Sequence, residues 1–303
     1  MDRFHLISVF VAVVDANGFA GAARKLGISP PAVTRAISAL EQQLAVRLLT
    51  RTTRTVRVTQ AGERYVQDCR RILAEMADAD ESAAGLHGQT GGHINITAPV
   101  LFGANFVMPV VVEFLQRYPL VDASCYFLDR VVNLMDEGVD VGVRIGELPD
   151  SSMRAIRVGQ VRRVIFAAPA YLAKHGTPRT PADLQAHCIV SATGVNASLD
   201  WRLVSNGVAQ TIKIRPRMTT TTNDSAVQAA LGGFCVSRLL SYQVDEYLND
   251  GRLVALLVAY EPEPVPVHVI HREGRHASQK VRAFLDLAVE RLRGNPVFSA
   301  ATG

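Results

Sequence analysis

The sequence contains few cysteines, and no two of them are close enough to form a CxxC motif. The four cysteines are Cys69, Cys125, Cys188 and Cys235, and they are spread along the chain. Closely spaced cysteines are the usual sign of a zinc site or a redox centre, and disulfide frameworks are typical of secreted domains. The scattered positions therefore indicate reduced, mostly buried thiols.

Long hydrophobic runs are also missing. Apolar stretches such as residues 107–112 are much shorter than the roughly 20 residues that span a bilayer. The N-terminus has a basic residue and an apolar stretch, but Asp2 and Asp15 are unlike a signal peptide. We therefore expect a cytoplasmic protein that does not enter a membrane. The apolar residues near the N-terminus instead mark one face of an amphipathic helix, namely Phe4, Ile7, Phe10, Val11 and Val14.

The short motifs of common active sites are absent as well. There is no G-x-S-x-G elbow, no G-x-x-x-x-G-K-[ST] loop and no H-E-x-x-H sequence. His268 and His271 are three residues apart in a predicted strand, so their side chains point to opposite faces and cannot share a metal ion. We therefore expect no enzymatic activity, no bound metal and no cofactor.

Positive charge is concentrated at the N-terminus. Up to residue 62 there are eight basic and three acidic residues, whereas the whole chain of 303 residues has a formal charge of +4. A basic segment joined to a nearly neutral remainder favours a polyanionic partner such as nucleic acid. The length suggests about two domains.

Residues 19–44 have the pattern of two short helices joined by a tight turn. Gly27 can end the first helix, and Ser29 can cap the second, which has two prolines in its first turn. Apolar residues recur at helical spacing at Ala22, Ala23, Leu26, Val33, Ile37, Leu40 and Leu44. The second helix of such a helix-turn-helix enters the DNA major groove. The residues predicted to face DNA are Ser29, Pro31, Ala32, Thr34, Arg35 and Ser38.

A basic segment follows these helices. Between positions 51 and 59, arginines are interspersed with β-branched residues, a pattern that suits a short β-ribbon, or wing, along a phosphate backbone. The wing residues predicted to contact DNA are Arg51, Thr52, Thr53 and Arg54. The alternative interpretation of the whole segment is a solvated basic surface on an ordinary helical domain.

The spacing of these residues resembles the N-terminal domain of LysR-type transcriptional regulators. The matching positions are Ala22, Ala23, Arg24, Leu26, Ser29, Ala32, Val33, Arg35, Ile37, Leu40, Glu41, Leu44, Leu48, Arg51, Arg54, Thr59, Ala61 and Gly62. The family usually has a hydroxyl residue that caps the first helix of the pair, whereas here Asn17 or Gly18 must serve. Pro30 stands where the family often has a DNA-contacting glutamine, so no base contact is transferred to that position.

Residues 59–86 predict one long helix with a single apolar stripe. The stripe has alternating steps of four and three residues, which is typical of a coiled-coil seam. Its members are Tyr65, Cys69, Ile72, Met76, Ala79, Ala83 and Leu86. The family resemblance implies dimerisation through this helix, and the alternative is a helix that packs on its own domain. The glycine-rich residues 87–93 predict a flexible hinge.

From residue 94 onward, strands alternate with helices, which predicts a mainly parallel sheet with helices on both faces. Residues 201–204 and 210–218 predict a hairpin around Asn206-Gly207, and residues 261–273 predict an edge-like strand. Helices are predicted at residues 106–117, 131–138, 170–175, 224–231 and 278–292.

The resemblance implies a two-lobed α/β effector-binding domain similar to periplasmic solute-binding proteins, with crossover strands near residues 160–167 and 265–271. The predicted fold is therefore of mixed α+β and α/β class. Its predicted domains are a winged helix-turn-helix at 1–58, a linker helix and hinge at 59–89, and the effector-binding domain at 90–303. Within the last domain, lobe I comprises residues 90–162 and 268–303, and lobe II comprises residues 163–267.

Ligands of open α/β sheets bind at the carboxyl ends of strands. Hydroxyl groups before a helix, as in residues 219–223, could receive a carboxylate, although a plain strand end with an N-cap explains them equally well. The predicted effector-binding residues are Thr97, Pro99, Val100, Leu101, Phe102, Arg144, Ile145, Gly146, Thr220, Thr221, Thr222 and Phe234. Cys235 could sense oxidants, but we favour a structural role because burial raises a thiol pKa and slows its reactions.

These features predict a transcription regulator that binds promoter or operator DNA. Its expected partners are a small organic effector, with a carboxylate as one option, further copies of the chain in a homodimer and homotetramer, and RNA polymerase. Two other classes are a solute-binding or catalytic α/β domain with a basic appendage, and an architectural nucleoid protein.

Overall fold

The N-terminal part begins with three helices whose apolar faces meet in one core. The structure, a computed structural model, describes residues 2–51, 56–83, 90–130, 134, 137–148, 153–192, 199–272 and 278–299. Helix α1 spans Arg3–Asp15, α2 spans Phe19–Leu26 and α3 spans Pro30–Leu44. Phe10, Val33 and Leu40 are fully buried between these helices, as the predicted apolar stripe requires.

The ends of α2 and α3 follow the predicted capping pattern. Gly18 caps α2 without a side-chain hydrogen bond, and Gly27 ends it with a φ of +64°, a left-handed conformation that favours glycine. The hydroxyl of Ser29 accepts a hydrogen bond from Ala32 N at 3.4 Å at the start of α3. The turn between the helices is therefore encoded locally.

A two-stranded wing follows α3. Strand β1 spans Leu49–Arg51 and pairs antiparallel with β2, which spans Val56–Val58. Helix α4 then spans Gln60–Ala83. Gly62 lies so close to Leu48 that any Cβ would collide with the Leu48 carbonyl oxygen, which fixes α4 against the base of the wing.

The first turns of α4 correct the predicted dimer seam. Cys69 is fully buried in the N-terminal core, and Tyr65 contacts Phe10 with ring centroids 5.8 Å apart. These two residues therefore pack on their own domain, because the start of the apolar stripe covers α1. Farther along the helix, Ile72 is 37% exposed and Met76 is 41% exposed. Leu86 and the side chains of Ala79 and Ala83 lie outside the part that the structure describes.

The rest of the chain alternates strands and helices. The strands are β3 (Gly91–Ala98), β4 (Leu120–Phe127), β5 (Val141–Ile145), β6 (Met153–Val161), β7 (Arg163–Ala167), β8 (Val190–Ala192), β9 (Asp200–Ser205), β10 (Val208–Lys213), β11 (Met218–Thr220), β12 (Ser237–Leu240), β13 (Val254–Leu256) and β14 (Val265–Arg272). The helices are α5 (Val100–Phe102), α6 (Met108–Arg117), α7 (Pro169–His175), α8 (Asn223–Leu231), α9 (Asp245–Asn249) and α10 (Gln279–Arg293), and a π-helical turn, Gly103–Val107, joins α5 to α6.

The larger sheet has five strands in the order β4-β3-β5-β14-β6. Strands β4, β3 and β5 are parallel, whereas β14 is antiparallel to both of its neighbours. The prediction of an edge position for β14 was therefore wrong, because the unpredicted strand β6 covers its far side. Strand β3 also starts at Gly91, inside the predicted hinge, since its pairing with β4 extends over both glycines.

Two predicted helices on this sheet also differ from the structure. The helix predicted to start at residue 106 begins in the structure at Val100, with a π-helical turn where Gly103 lies directly against the Phe127 ring. The helix predicted at residues 131–138 falls mostly outside the described residues, and its described positions lie in turns.

A second unit contains the remaining strands. Strands β12, β7 and β13 form an antiparallel sheet, and β8 pairs in parallel with β11. The predicted hairpin is present as β9 and β10, with Asn206 and Gly207 at φ values of +50° and +77° in its turn. The strand β13 was not predicted, and its antiparallel pairing with β7 differs from the mainly parallel sheet that was expected.

Two chain crossings connect the five-stranded unit to the second unit. Strand β6 leads through Arg162 into β7, and the chain returns through residues 257–264 to β14. The Arg162 guanidinium pairs with Glu261 at 2.8 Å, so a charged contact ties the two crossings together. Burial nevertheless raises the pKa of Glu261 above its ordinary value.

Among the described residues, the helical run Val100–Arg117 is long and apolar enough to cross a membrane by length and composition alone. A core helix of a globular protein passes the same test. Here Val110, Val111 and Phe114 are buried in the core of the five-stranded unit.

Candidate DNA-binding and effector sites

The predicted DNA-reading residues lie on the outer side of α3. Arg35 and Ser38 are exposed and Thr34 is half-buried, whereas Val33 and Ile37 are fully buried on the opposite side. The remaining predicted residues of this helix are Ser29 and Pro31, which are exposed, and Ala32, which is half-buried. This face offers hydroxyls, small side chains and one guanidinium, groups that can approach base edges closely.

Glu41 connects α3 to the wing. Its Oε1 accepts hydrogen bonds from Leu48 N at 2.8 Å and from Leu49 N at 3.0 Å. These two N–H groups lie at the start of β1, so the carboxylate sets the position of the wing relative to the reading helix. The sequence placed Glu41 in the family pattern but predicted no role for it in positioning the wing; an acidic residue in a basic segment was the available signal.

The wing is only partly described. Arg51 ends β1 opposite Val56, and Arg57 is exposed on β2. The predicted contacts Thr52, Thr53 and Arg54 lie outside the described residues. Exposed Arg47 and Arg57 give this part of the domain positive charge.

The predicted effector residues begin at one edge of the five-stranded sheet. Because β4, β3 and β5 are parallel neighbours, their carboxyl ends meet at the same edge. Val100 follows β3 and is 38% exposed, and Arg144 and Ile145 end β5, with Gly146 directly after them. Pro99 and Leu101 are half-buried beside Val100.

Asp129, which follows β4, connects this edge to the second unit. Its Oδ1 accepts a hydrogen bond from Val100 N at 3.0 Å, and its Oδ2 accepts one from Asn223 Nδ2 at 3.4 Å. Asn223 is the first residue of α8, directly after the predicted threonine run. The end of β3 and the threonine run at residues 219–223, both predicted to bind effector, are therefore brought together by a residue that the prediction missed.

The threonine run is used mainly within its own turn. Thr222 caps α8 by accepting from Ser225 N at 3.3 Å, and its hydroxyl also lies 2.8 Å from Ser225 Oγ. Thr220 donates to Thr222 O at 3.0 Å, while Thr221 is exposed. This geometry is the N-cap arrangement that the sequence left as an alternative.

Three predicted effector residues do not join this edge. Thr97 is fully buried and donates to Tyr126 O at 2.8 Å. Phe102 is fully buried and contacts Phe298, with ring centroids 5.0 Å apart. Phe234 lies beyond the C-terminal end of α8, whereas Thr222 caps its N-terminal end, and the helix between them is about 13 Å long. The first two are core residues, and the third is at the wrong end of its helix.

The charge at the end of β5 is partly desolvated. Burial lowers the pKa of Arg144 from its usual value, with Glu137 opposing this change and Arg130 adding to it. The Arg144 guanidinium donates to Val143 O at 3.1 Å. A cationic group at this edge could attract an anionic ligand.

Both parts of the chain match known families. Residues 4–63 match the bacterial regulatory helix-turn-helix proteins of the lysR family, and residues 87–293 match the LysR substrate binding domain. The second match alone covers more than half of the chain. This chain is a LysR-type transcriptional regulator.

Full-length relatives show the same arrangement. The HTH-type transcriptional regulator CrgA of Neisseria meningitidis serogroup C (strain 8013) is 31% identical over 290 residues, which is 95% of this chain and 97% of CrgA. A solved structure of CrgA from Neisseria meningitidis has a TM-score of 0.62 at 30% identity and covers 97% of this chain and 100% of its own. The full-length structure of the Vibrio cholerae virulence activator AphB has a TM-score of 0.62 at 27% identity, covering 95% and 99% respectively.

Membership of this family decides between the functional classes. LysR-type regulators bind DNA, carry an effector-binding domain and form oligomers, and their similarity to this chain extends over both domains. The chain is accordingly a DNA-binding regulator and not an enzyme, and its basic N-terminus is the DNA-binding domain rather than an appendage.

Strand-end reasoning could have found Asp129. It stands two residues after β4, and β4 is the neighbour of β3 whose end was chosen. The sequence did not reveal that β4 pairs with β3, so the acidic residue at its end was not considered. Asn223 was noticed only as the end of the threonine run.

Proposed function

We propose that this regulator reads its operator with the exposed face of α3 and places the wing on the phosphate backbone. The domain limits that we assign are 1–58 for DNA binding, 59–89 for the linker, and 90–303 for effector binding. The cytoplasm is the compartment in which such a protein meets its promoter. Contact with RNA polymerase then transmits the regulatory state to transcription.

The linker helix supplies the proposed dimer contact. Tyr65 and Cys69 are occupied by their own domain, so the contact begins at Ile72 and Met76, both exposed to solvent in the single chain. Exposed apolar residues at this spacing favour a second copy of the helix. Two such dimers would form a homotetramer through the effector-binding domains.

The effector is proposed to bind between lobe I, residues 90–162 and 268–303, and lobe II, residues 163–267. The observation that carries this proposal is the contact of Asp129 with both Val100 and Asn223, which joins the two lobes at a shared strand edge. Pro99, Leu101 and Ile145 would face the organic body of the ligand. A carboxylate-bearing effector would compete with Asp129 for the Val100 N–H group.

Binding at this edge can change the angle between the lobes, because both contribute contacts. The angle would set the spacing of paired dimers and hence the bend of the bound DNA. A ligand shifts such an equilibrium only by its differential affinity for the two arrangements, typically about 1–3 kcal/mol. The regulator can therefore occupy DNA with and without effector while its promoter response changes.

The test begins with a thermal-shift screen of small organic acids and amines against the full-length protein, since a ligand of the native state raises the unfolding temperature. Compounds that bind are then titrated into Val100→Glu and Thr222→Val. Val208→Glu is a matched control, because Val208 is 68% exposed at the start of β10. We expect Val100→Glu to lose effector affinity while operator affinity stays normal. An unchanged effector response in both site variants would place the ligand elsewhere.

A further inference from the structure

Two arginines lie side by side on one face of the second unit. Arg163 starts β7 opposite Leu240, and Arg238 lies on β12 opposite Ile165. In an antiparallel pair, residues related in this diagonal way share a face, about 7–8 Å apart at the backbone. Both side chains are half-buried at the margin of the core.

This face is separate from the proposed effector edge. Ile165, next but one to Arg163, packs in a core with Trp201, whereas Val164 and Phe166 pack with α8 on the other side of the sheet. Side chains alternate along a strand, so Arg163 points to the Trp201 side. The arginine pair is thus on the face away from α8.

The hairpin holds Arg238 in a fixed place. The guanidinium carbon of Arg238 lies 4.9 Å from the centre of the Trp201 ring, and its Nη1 donates to Arg202 O at 3.3 Å. Trp201 itself is only 3% exposed. A guanidinium stacked on a buried indole loses little further freedom when it binds a ligand, because its plane is already set.

The cluster is positively charged without acidic compensation. Burial lowers the pKa of Arg238 to about 10, and Arg163 adds to this effect. Burial also lowers the pKa of Arg163, and here Arg202 adds to the effect. Within the part of the chain that the structure describes, no carboxylate acts in the opposite direction on either group.

Arg162 and Arg252 show the usual arrangement, in which an arginine lies beside a carboxylate. Arg162 pairs with Glu261 at 2.8 Å, and Arg252 pairs with Asp250 at 2.6 Å. Partly buried charges normally have such a partner, because an unpaired charge loses hydration without compensation. The half-buried Arg163 and Arg238 have no such carboxylate among the described residues, so an anion from outside the chain would supply the missing compensation.

We propose that Arg163, Arg202 and Arg238 form a binding site for a small oxyanion, a phosphate or carboxylate group, on the β7–β12 face. The planar guanidinium groups would donate paired hydrogen bonds to its oxygens. Trp201 keeps Arg238 in position beneath the anion. Because β7 follows directly from the crossing at Arg162, an anion here stiffens the second unit beside that crossing.

The chain carries its own reporter for this site. Trp201 is its single tryptophan, so the intrinsic fluorescence of the full-length protein reports the surroundings of Arg238 and not those of the basic N-terminal domain. Inorganic phosphate is titrated at constant ionic strength against chloride, and malonate is titrated in a second arm to separate phosphate from carboxylate recognition. We expect a saturable change in tryptophan emission with at least one oxyanion and none with chloride.

Variants then locate the binding. Arg163→Gln leaves the contact between Arg238 and Trp201 in place and should weaken oxyanion binding about tenfold or more. Arg163→Lys should recover part of the affinity, since it restores charge without the planar fork. Arg179→Gln, at an exposed arginine of the same unit, should bind like the parent.

If Arg163→Gln fails to fold by circular dichroism, exposed Arg202→Gln replaces it, with the same expectation of weaker binding. The absence of a saturable change in the parent, or equal affinity in parent and folded site variant, would overturn the proposal.

Discussion

The carboxylate of Asp129 accepts a hydrogen bond from the backbone N–H of Val100 at 3.0 Å, at the point where β3 passes into α5. Its other oxygen reaches Asn223, so one side chain spans the two units of the effector-binding domain. An anion from the protein itself thus occupies the N–H group that the sequence assigned to the effector. In the proposed site, effector binding and contact between the units would involve the same atoms.

Replacing Asp129 tests this connection. Asp129→Ala removes both hydrogen bonds and should lower the free energy of unfolding by about 1 kcal/mol. Asp122→Ala is the control. Asp122 is an exposed carboxylate on β4, so its replacement should leave the free energy of unfolding unchanged. Urea unfolding followed by circular dichroism measures the difference. Equal midpoints for the two variants would show that Asp129 does not stabilise the contact between the units.

A second prediction concerns Glu41. Glu41→Ala leaves Leu48 N–H and Leu49 N–H, both in residues that are 2% exposed, without their acceptor. We expect a loss of about 2 kcal/mol or more in stability, and weaker binding to every DNA sequence because the wing loses its anchor. Glu41→Gln, which keeps an acceptor oxygen, should retain most of both properties. Glu63→Ala is the control, because Glu63 is exposed on α4. An equal loss of stability and DNA affinity in this variant would refute a specific role for Glu41.

The linker helix gives a third prediction. Ile72→Glu and Met76→Glu each introduce a charge at an exposed apolar position of α4, which would be buried unpaired in a dimer. We expect both variants to sediment as smaller species than the parent. Gln67→Glu adds the same charge at another exposed position and should leave assembly unchanged. Unchanged oligomers in both seam variants would remove the linker helix from the interface.

Cysteine reactivity gives a fourth prediction. Burial raises the pKa of Cys235 to about 12 and that of Cys69 to about 11, and both side chains are fully buried. A thiol reacts through its thiolate, so both should be alkylated slowly by iodoacetamide near neutral pH and rapidly after denaturation. The half-buried Cys125 and Cys188 should react before these two, as peptide mass spectrometry can determine. Fast labelling of Cys235 in native protein would instead favour an oxidant-sensing role.

The helix-turn-helix could be predicted because its signals are local. Gly27 at the turn, Ser29 at the cap and the stripe from Val33 to Leu40 act within a few residues of one another, and all three have the predicted structural role. The hairpin around Asn206 and Gly207 was recognisable for the same reason. Such features depend on backbone conformation and helix period, which the sequence states directly.

Features that depend on distant pairing were harder to predict. Strand β6 was missed, and with it the interior position of β14, because the pairing of the two strands brings together residues about a hundred positions apart. The role of Asp129 was missed for the same reason. It depends on β4 lying beside β3 and on α8 of the second unit lying within hydrogen-bond distance of Asp129. Thr97 and Phe102 were predicted from the end of β3, but both are fully buried in the core.

Binding of operator and unrelated DNA by Arg35→Ala, compared with Arg57→Ala, tests the central claim most directly. Both arginines are exposed, one on α3 and one on β2. Mobility-shift titrations at several salt concentrations should show that Arg35→Ala loses about 1–3 kcal/mol of preference for the operator. Arg57→Ala should weaken both DNAs alike and lower the salt slope by about one unit. A folded Arg35→Ala protein that keeps the full operator preference of the parent would contradict the assignment of α3 as the reading helix.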